Sequence, residues 1–250
     1  MSAPSDTACM IDLATFPVPD YSDTEHETWT RLYARQRELL PGRACDEYLA
    51  GLARLELSET RLPRLVDISR RIEQYTGWRL TRVAGLVEND DFFTLLAGRC
   101  FPSTDFIRKP DELDYTPAPD MFHDLIGHAP LLTHSRFAAF FERFGHAGKA
   151  AFASGHPATE WLPRIYWYTV EFGLIRAAEG LRIYGSGIVS SPGEVLHSLS
   201  DAVTRHDFDL DAIAARDYDI WHMQNDLFVI DSFDQLEDDF AAWCREARLG

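Results

Sequence analysis

A 250-residue chain with 46% hydrophobic side chains and six Trp can bury one sizeable core and reads as a packed globule. Forty acidic side chains against 24 basic ones leave a net charge of −16, which repels nucleic acid and anionic lipid and serves solubility. Cys9, Cys45, Cys100 and Cys244 form no Cys-x-x-Cys pair, no basic segment leads into an apolar run, and no stretch has the length of a membrane span; this argues against a zinc ribbon, a disulfide framework, a secretory leader and a membrane helix, and favours a reducing cytoplasm.

Residues 1–20 are expected to form a loose arm and residues 21–250 a single domain. A first helix is predicted over 24–40, where Trp29, Leu32 and Tyr33 share a face and Thr24 with Glu27 has capping-box spacing. Further helices are predicted over 46–55, 62–75 and 92–97, with β character at 78–85 and 101–107. A proline-rich loop at 110–119 leads into the apolar run at Met121. Residues 137–150 and 162–180 read as buried or amphipathic helices, and 182–185 and 227–230 as short strands. Pro192 opens a helix that runs to Leu199, and 240–248 is a last short helix. The pattern is mainly α with small β elements, without an internal repeat.

The chemistry concentrates in two segments. His123 and His128 sit five apart in the run from Asp120 to Pro130, and Glu171 stands alone among Tyr166, Trp167, Tyr168 and Phe172. An ionised carboxylate in such company is costly unless a cation pairs with it, and a metal is such a cation. Two His and one carboxylate are the ligand set of non-haem iron(II) oxygenases. In a straight α-helix, residues five apart point roughly 140° away from each other. One resolution places His123 in a last helical turn and lets His128 swing back from an end loosened by Gly127 and stopped by Pro130. Glu171 then arrives from a second helix. On chemistry alone two readings stay open: a metal centre, or two core histidines beside a buried acid.

The run Asp120-Met121-Phe122-His123-Asp124-Leu125-Ile126-Gly127-His128-Ala129-Pro130-Leu131-Leu132 resembles the iron-binding signature of the pterin-dependent aromatic amino acid hydroxylases. Residues 165–174 resemble the segment that carries that family's third ligand. Phe101-Pro102-Ser103-Thr104-Asp105-Phe106-Ile107-Arg108 and Tyr184-Gly185-Ser186-Gly187-Ile188-Val189-Ser190-Ser191 are similar to two further family segments. The likeness runs from about Tyr21 to about Phe240, and residues 40–48 look most like the short bacterial, phenylalanine-acting members. It implies the family's catalytic-domain fold, a helical basket around a non-haem iron, with residues 21–250 as one catalytic domain. The implied activity is an Fe(II)- and tetrahydrobiopterin-dependent monooxygenase that uses O2 to hydroxylate L-phenylalanine to L-tyrosine. Alternatives are the same chemistry on L-tryptophan or at the meta position of phenylalanine, a zinc hydrolase, and a silent pterin-binding protein.

Residue roles follow from the resemblance. His123, His128 and Glu171 are implied as metal ligands, with Tyr166 beside the metal. Arg108 is implied to hold the substrate carboxylate, whereas composition alone pairs it with Asp111 or Glu112; Thr116 and Ser190 add hydroxyls. Pro119, Trp167 and Phe172 are implied to line the ring pocket, where Gly187 leaves room. Gly85, Leu86, Val87 and Phe92 are implied to hold the pterin, which Asp124 reaches through water. Three positions depart from the family pattern: Ala118 where Glu is usual, Asp105 where a larger residue is common, and Ala129 where Val is common. With about 20 residues before the likeness and few after it, a monomer without phenylalanine-triggered activation is expected.

Overall fold

The computed structural model describes residues 19–114 and 118–249, so the expected arm lies almost wholly outside the described residues and Thr116 lies outside them too. Helix α1 (Asp23–Leu39) starts one residue earlier than expected because Ser22, not Thr24, is its cap. Ser22 Oγ accepts the Glu25 N–H at 3.3 Å, and the Ser22 N–H donates to Glu25 Oε2 at 2.8 Å, closing a capping box. The helix then buries Trp29 and Leu32. Helices α2 (Asp46–Arg54) and α3 (Leu65–Thr76) follow, and α3 stops at Gly77, whose φ of 76° is the left-handed conformation that glycine tolerates.

Strands β1 (Arg79–Arg82) and β2 (Cys100–Ser103) pair in parallel, with α4 (Asn89–Ala97) between them in the chain. Helix α4 packs on the long central helix α5 (Ser135–Ser154) with almost no gap. A Cβ at Gly148 would lie 2.0 Å from Phe93 Cδ1, so only glycine permits this approach. The rest of α5 is aromatic. Phe141 stacks on Trp78 at 5.4 Å, and Phe140 meets Phe240 of helix α10 (Phe233–Glu246) at 5.1 Å. Helix α10 is longer than the expected 240–248 because Ser232 Oγ caps the Gln235 N–H at 3.0 Å and Phe233 and Leu236 extend the buried face.

The helix expected over 162–180 divides into three parts. Helix α6 (Ala158–Tyr166) passes into a π-helical turn, Trp167–Glu171, and the chain then extends as β3 (Leu174–Ala177). A short apolar run such as Leu174-Ile175 suits a helix or a strand equally, and sheet pairing decides it here. Strand β3 pairs antiparallel with β4 (Gly180–Ile183) and parallel with β6 (Asp226–Ile230); β5 (Thr204–Asp207), which periodicity does not reveal, pairs parallel with β6. The strand order is β4-β3-β6-β5. Short helices α7 (Ser186–Val189), α8 (Pro192–Ser198) and α9 (Leu210–Ala214) fill the connections. The architecture is mainly α with small β elements, as expected, and no helix among the described residues is long and apolar enough to cross a membrane. Side chains from α4, α5 and α6 wall a cavity of about 400 Å³ at the centre of this basket.

Candidate active site

The spacing of the two histidines has a different cause from the expected frayed helix end. Residues His123–His128 form a π-helix, in which the Ala129 N–H donates to the Asp124 carbonyl at 3.1 Å. Such a turn takes in one residue more than an α turn, so residues five apart return to one face. Gly127 lies inside the turn. Pro130 has no N–H to offer the Ile126 carbonyl, and the Tyr48 hydroxyl of α2 donates to it at 2.6 Å instead. Glu171 closes the second π turn, in which the Phe172 N–H donates to the Trp167 carbonyl at 2.9 Å.

The two turns bring the three side chains together, with candidate ligand atoms of His123, His128 and Glu171 all within 4.8 Å of one another. The two Nε2 atoms are 3.1 Å apart. Glu171 Oε1 lies 3.2 Å from His128 Nε2, and Oε2 lies 3.7 Å from His123 Nε2. The tautomer of His123 is set from behind. Ser190 Oγ gives its proton to the Ser186 carbonyl at 2.7 Å, so at 2.9 Å it accepts from His123 Nδ1–H and leaves the Nε2 lone pair facing inward. Burial pushes the His123 pKa down, outweighing the nearby Glu171 charge, so the ring is neutral. Burial would raise Glu171, but the two imidazoles and a 2.8 Å bond from Ser186 Oγ hold its carboxyl at about 2. An ionised carboxylate and imidazole nitrogens with converging lone pairs fit a divalent metal, and iron(II) accepts this N,N,O donor set with positions to spare.

Around this cluster the expected residues divide. Gly85, Leu86, Val87, Phe92, Pro119, His123, Asp124, His128, Tyr166, Trp167 and Glu171 all line the cavity. An aromatic face at Phe92, the apolar turn at 85–87 and a buried carboxyl at Asp124 suit a flat heterocycle with polar edges. Asp124 Oδ2 accepts from the Thr104 N–H at 2.8 Å, Thr104 Oγ1 at 3.1 Å and Ser103 Oγ at 3.2 Å. Burial nevertheless raises its pKa to about 6, against His123 and Thr104. Burial, with the Glu171 charge adding to it, keeps the Tyr166 phenol protonated. Phe172 and Gly187 stand behind the wall: Phe172 packs on Trp167 at 4.6 Å, and a Cβ at Gly187 would sit 3.0 Å from Phe172 Cζ and 3.1 Å from Glu171 Oε2. Ser190, expected to donate to a substrate, has its proton committed to Ser186 and supports His123.

Arg108 is 8% exposed and pairs with neither Asp111 nor Glu112. Its partner is Asp120, which is 0% exposed: Nε donates to Oδ2 and Nη2 to Oδ1, both at 2.8 Å. Burial would raise the Asp120 carboxyl, and the guanidinium outweighs it and holds it below the usual range. Asp120 Oδ1 also accepts the His123 N–H at 3.0 Å, tying the arginine to the turn that carries His123 and His128. Among the described residues nothing bonds to Nη1, which leaves the Nη1/Nη2 edge as a second fork for a carboxylate. Among the departures, Ala118 lines the cavity, Asp105 is ion-paired with Arg82, and Ala129 is buried in the core. Sequence reasoning missed Asp120, Ser186, Phe101, Tyr218 and Gln224. Of these, Asp120, Phe101 and Ser186 lay inside the family-like segments without an assigned role, and Tyr218 and Gln224 carried no signal.

One carboxyl near the cavity is not part of it. Glu194 Oε2 is buried without a hydrogen-bond partner among the described residues. Burial pushes this carboxyl up to about 7, although the Gln224 backbone N–H works to lower it. The folded chain then holds a proton that the unfolded chain releases near 4.5, so stability falls as pH rises from about 4.5 to about 7. Glu194→Gln is expected to raise the melting temperature above wild type at pH 8 and to leave it unchanged at pH 4. Paired thermal scans check this, and equal melting at pH 8 refutes it.

A model of the biopterin-dependent aromatic amino acid hydroxylases matches residues 12–248. The chain is 48% identical over 223 residues to the phenylalanine-4-hydroxylase of Chromobacterium violaceum, a match covering 89% of this chain and 74% of that protein. A solved structure of the C. violaceum phenylalanine hydroxylase with bound iron(III) and oxidised cofactor 7,8-dihydrobiopterin superposes with a TM-score of 0.86 at 47% identity, covering 95% of this chain and 88% of that one. A second, bound to iron and phenylalanine, gives 0.87 at 45% identity, covering 96% and 87%. With a family model spanning nearly its whole length and relatives this similar, the chain belongs to the biopterin-dependent aromatic amino acid hydroxylases.

Proposed function

We propose that this protein hydroxylates the ring of L-phenylalanine to L-tyrosine with O2, using iron(II) and tetrahydrobiopterin. The observation that carries the reading is the convergence of His123, His128 and Glu171 at the wall of an aromatic cavity. The bound iron and pterin together supply the activation of O2, and the protein supplies everything that places the ring. Ser190 holds the proton on His123 Nδ1, so Nε2 is free to bind metal. Ser186 fixes Glu171 Oε2, and the low carboxyl pKa keeps Glu171 ionised. Asp120 aims Arg108 so that its second fork receives the amino acid's carboxylate. Trp167 and Pro119 form the wall on which the phenylalanine ring lies, and the apolar lining excludes water during the reaction.

Oxygen uptake with phenylalanine and a tetrahydropterin, followed by chromatography, tests the proposal. One para-tyrosine per turnover, dependent on both iron and pterin, is expected. Dominant meta-tyrosine or 5-hydroxytryptophan would overturn the substrate assignment and leave the metal site standing. Pterin-independent hydrolysis supported by zinc would overturn the reaction class.

A further inference from the structure

Trp167 is held by a segment far from it in sequence. Its Nε1–H donates to Gln224 Oε1 at 3.0 Å, across 57 residues of chain. Its face stacks on Tyr218 at 4.6 Å with 18° between the rings, and its other neighbour is Phe172 at 4.6 Å. Gln224 has no freedom to turn. It is 6% exposed, and its Nε2 donates to the carbonyls of Asp219 and His222, both at 2.7 Å. With both amide hydrogens used, the oxygen must face the indole, and an indole nitrogen can only donate. The loop that carries this grip is itself anchored. Tyr168 Oη donates to the Asp217 carbonyl at 2.7 Å, and Arg164 donates to the Ala214 carbonyl at 2.8 Å.

Trp167 opens the π turn that Glu171 closes, so the indole plane and the metal-ligand carboxylate belong to one rigid element. Tyr218 also lines the cavity, while Gln224 does not and acts only through the indole. We propose that Gln224 is a positioning residue for ring selection: by accepting from Trp167 Nε1 it fixes the wall on which the substrate ring lies, and so sets both the preference for phenylalanine over a larger aromatic amino acid and the ring carbon that is hydroxylated. The proposal rests on the functional reading above. Without the bond the indole can tilt outward, the slot widens, and a six-membered ring no longer has one resting position.

Gln224→Leu, which keeps the bulk and removes the acceptor, tests this. Iron content is expected to stay at the wild-type level. The phenylalanine KM should rise and the phenylalanine-to-tryptophan ratio of kcat/KM should fall by about tenfold, the scale of one lost hydrogen bond. The meta-tyrosine fraction should rise. In a Trp167→Phe background, which lacks the donor, Gln224→Leu should change neither ratio further. Wild-type selectivity and product pattern in a folded, iron-loaded Gln224→Leu protein would overturn the inference, as would full additivity with Trp167→Phe. Should Gln224→Leu fail to fold, Gln224→Asn, which withdraws the acceptor by one carbon, must shift both ratios in the same direction or the inference fails. A wild-type protein with no pterin-dependent turnover of phenylalanine would sink the functional reading. An active wild type with an unaltered Gln224→Leu would sink only this inference.

Discussion

His128→Ala is expected to leave a folded protein with almost no iron and almost no hydroxylase activity. His128 is almost fully buried between the Phe101 ring, 4.7 Å away, and the other two ligands, so no solvent-exposed group stands ready to replace it. Two remaining ligands hold iron(II) poorly, and the vacated volume next to Glu171 removes part of what keeps its carboxylate tolerable in an apolar setting. Activity should fall by at least about a hundredfold, since even groups that merely orient metal ligands act on the scale of ten- to a hundredfold. His123→Ala should behave alike. Metal analysis of the dialysed proteins decides the matter. One iron per chain in both single variants would remove these residues from the metal site.

Arg108→Lys is the second large effect, and it separates substrate binding from metal binding. A lysine offers a point charge to two sites that each need a fork: the buried Asp120 on one edge and, in the proposed reading, the substrate carboxylate on the other. Charge-assisted hydrogen bonds are worth about 1.5–3 kcal/mol each, so the phenylalanine KM should rise roughly tenfold to a hundredfold. Iron content should stay near wild type because Asp120 keeps its bond to the His123 N–H. The melting temperature should drop, since Asp120 loses half its fork in a fully buried position. An unchanged KM in a destabilised protein would show that Arg108 serves Asp120 alone and that the carboxylate is held elsewhere.

These two predictions differ in how much of their basis was legible in the sequence. The candidate ligands were legible because their types are rare in apolar runs: His123 and His128 five apart, and Glu171 alone among aromatic side chains. The segment expected to hold the pterin was legible as part of the cavity wall, since Gly85, Leu86, Val87 and Phe92 all line it. What stayed hidden is the set of polar groups that hold those residues from behind. Asp120 grips Arg108, Ser186 grips Glu171, and Gln224 grips Trp167. Such contacts are made in space between residues with no shared period, and a Ser or Gln in a loop looks like any other. The same blindness explains the sheet. Strands β3 and β5 are four residues each, too short for alternation to declare itself, and they exist because β6 lies beside them. The first helices, by contrast, followed apolar periodicity closely, with a small shift at the Ser22 cap, whereas the helix expected over 162–180 gave way to a π turn and strands, and the last helix began seven residues early at its Ser232 cap.

The paired π turns give the centre a weakness that its residue types do not reveal. Each is an ordinary helix that has taken in one extra residue, and the extra residue brings the ligand into phase. With every residue kept, tightening the first turn to α geometry would leave His123 and His128 roughly 140° apart about the helix axis. Both histidines and the glutamate would still be present, each with its own chemistry intact, and yet they would no longer face one another. A substitution within this turn that favours α over π geometry would thus separate the candidate ligands without touching any of them, and an inspection of the ligand identities alone would pass it as harmless.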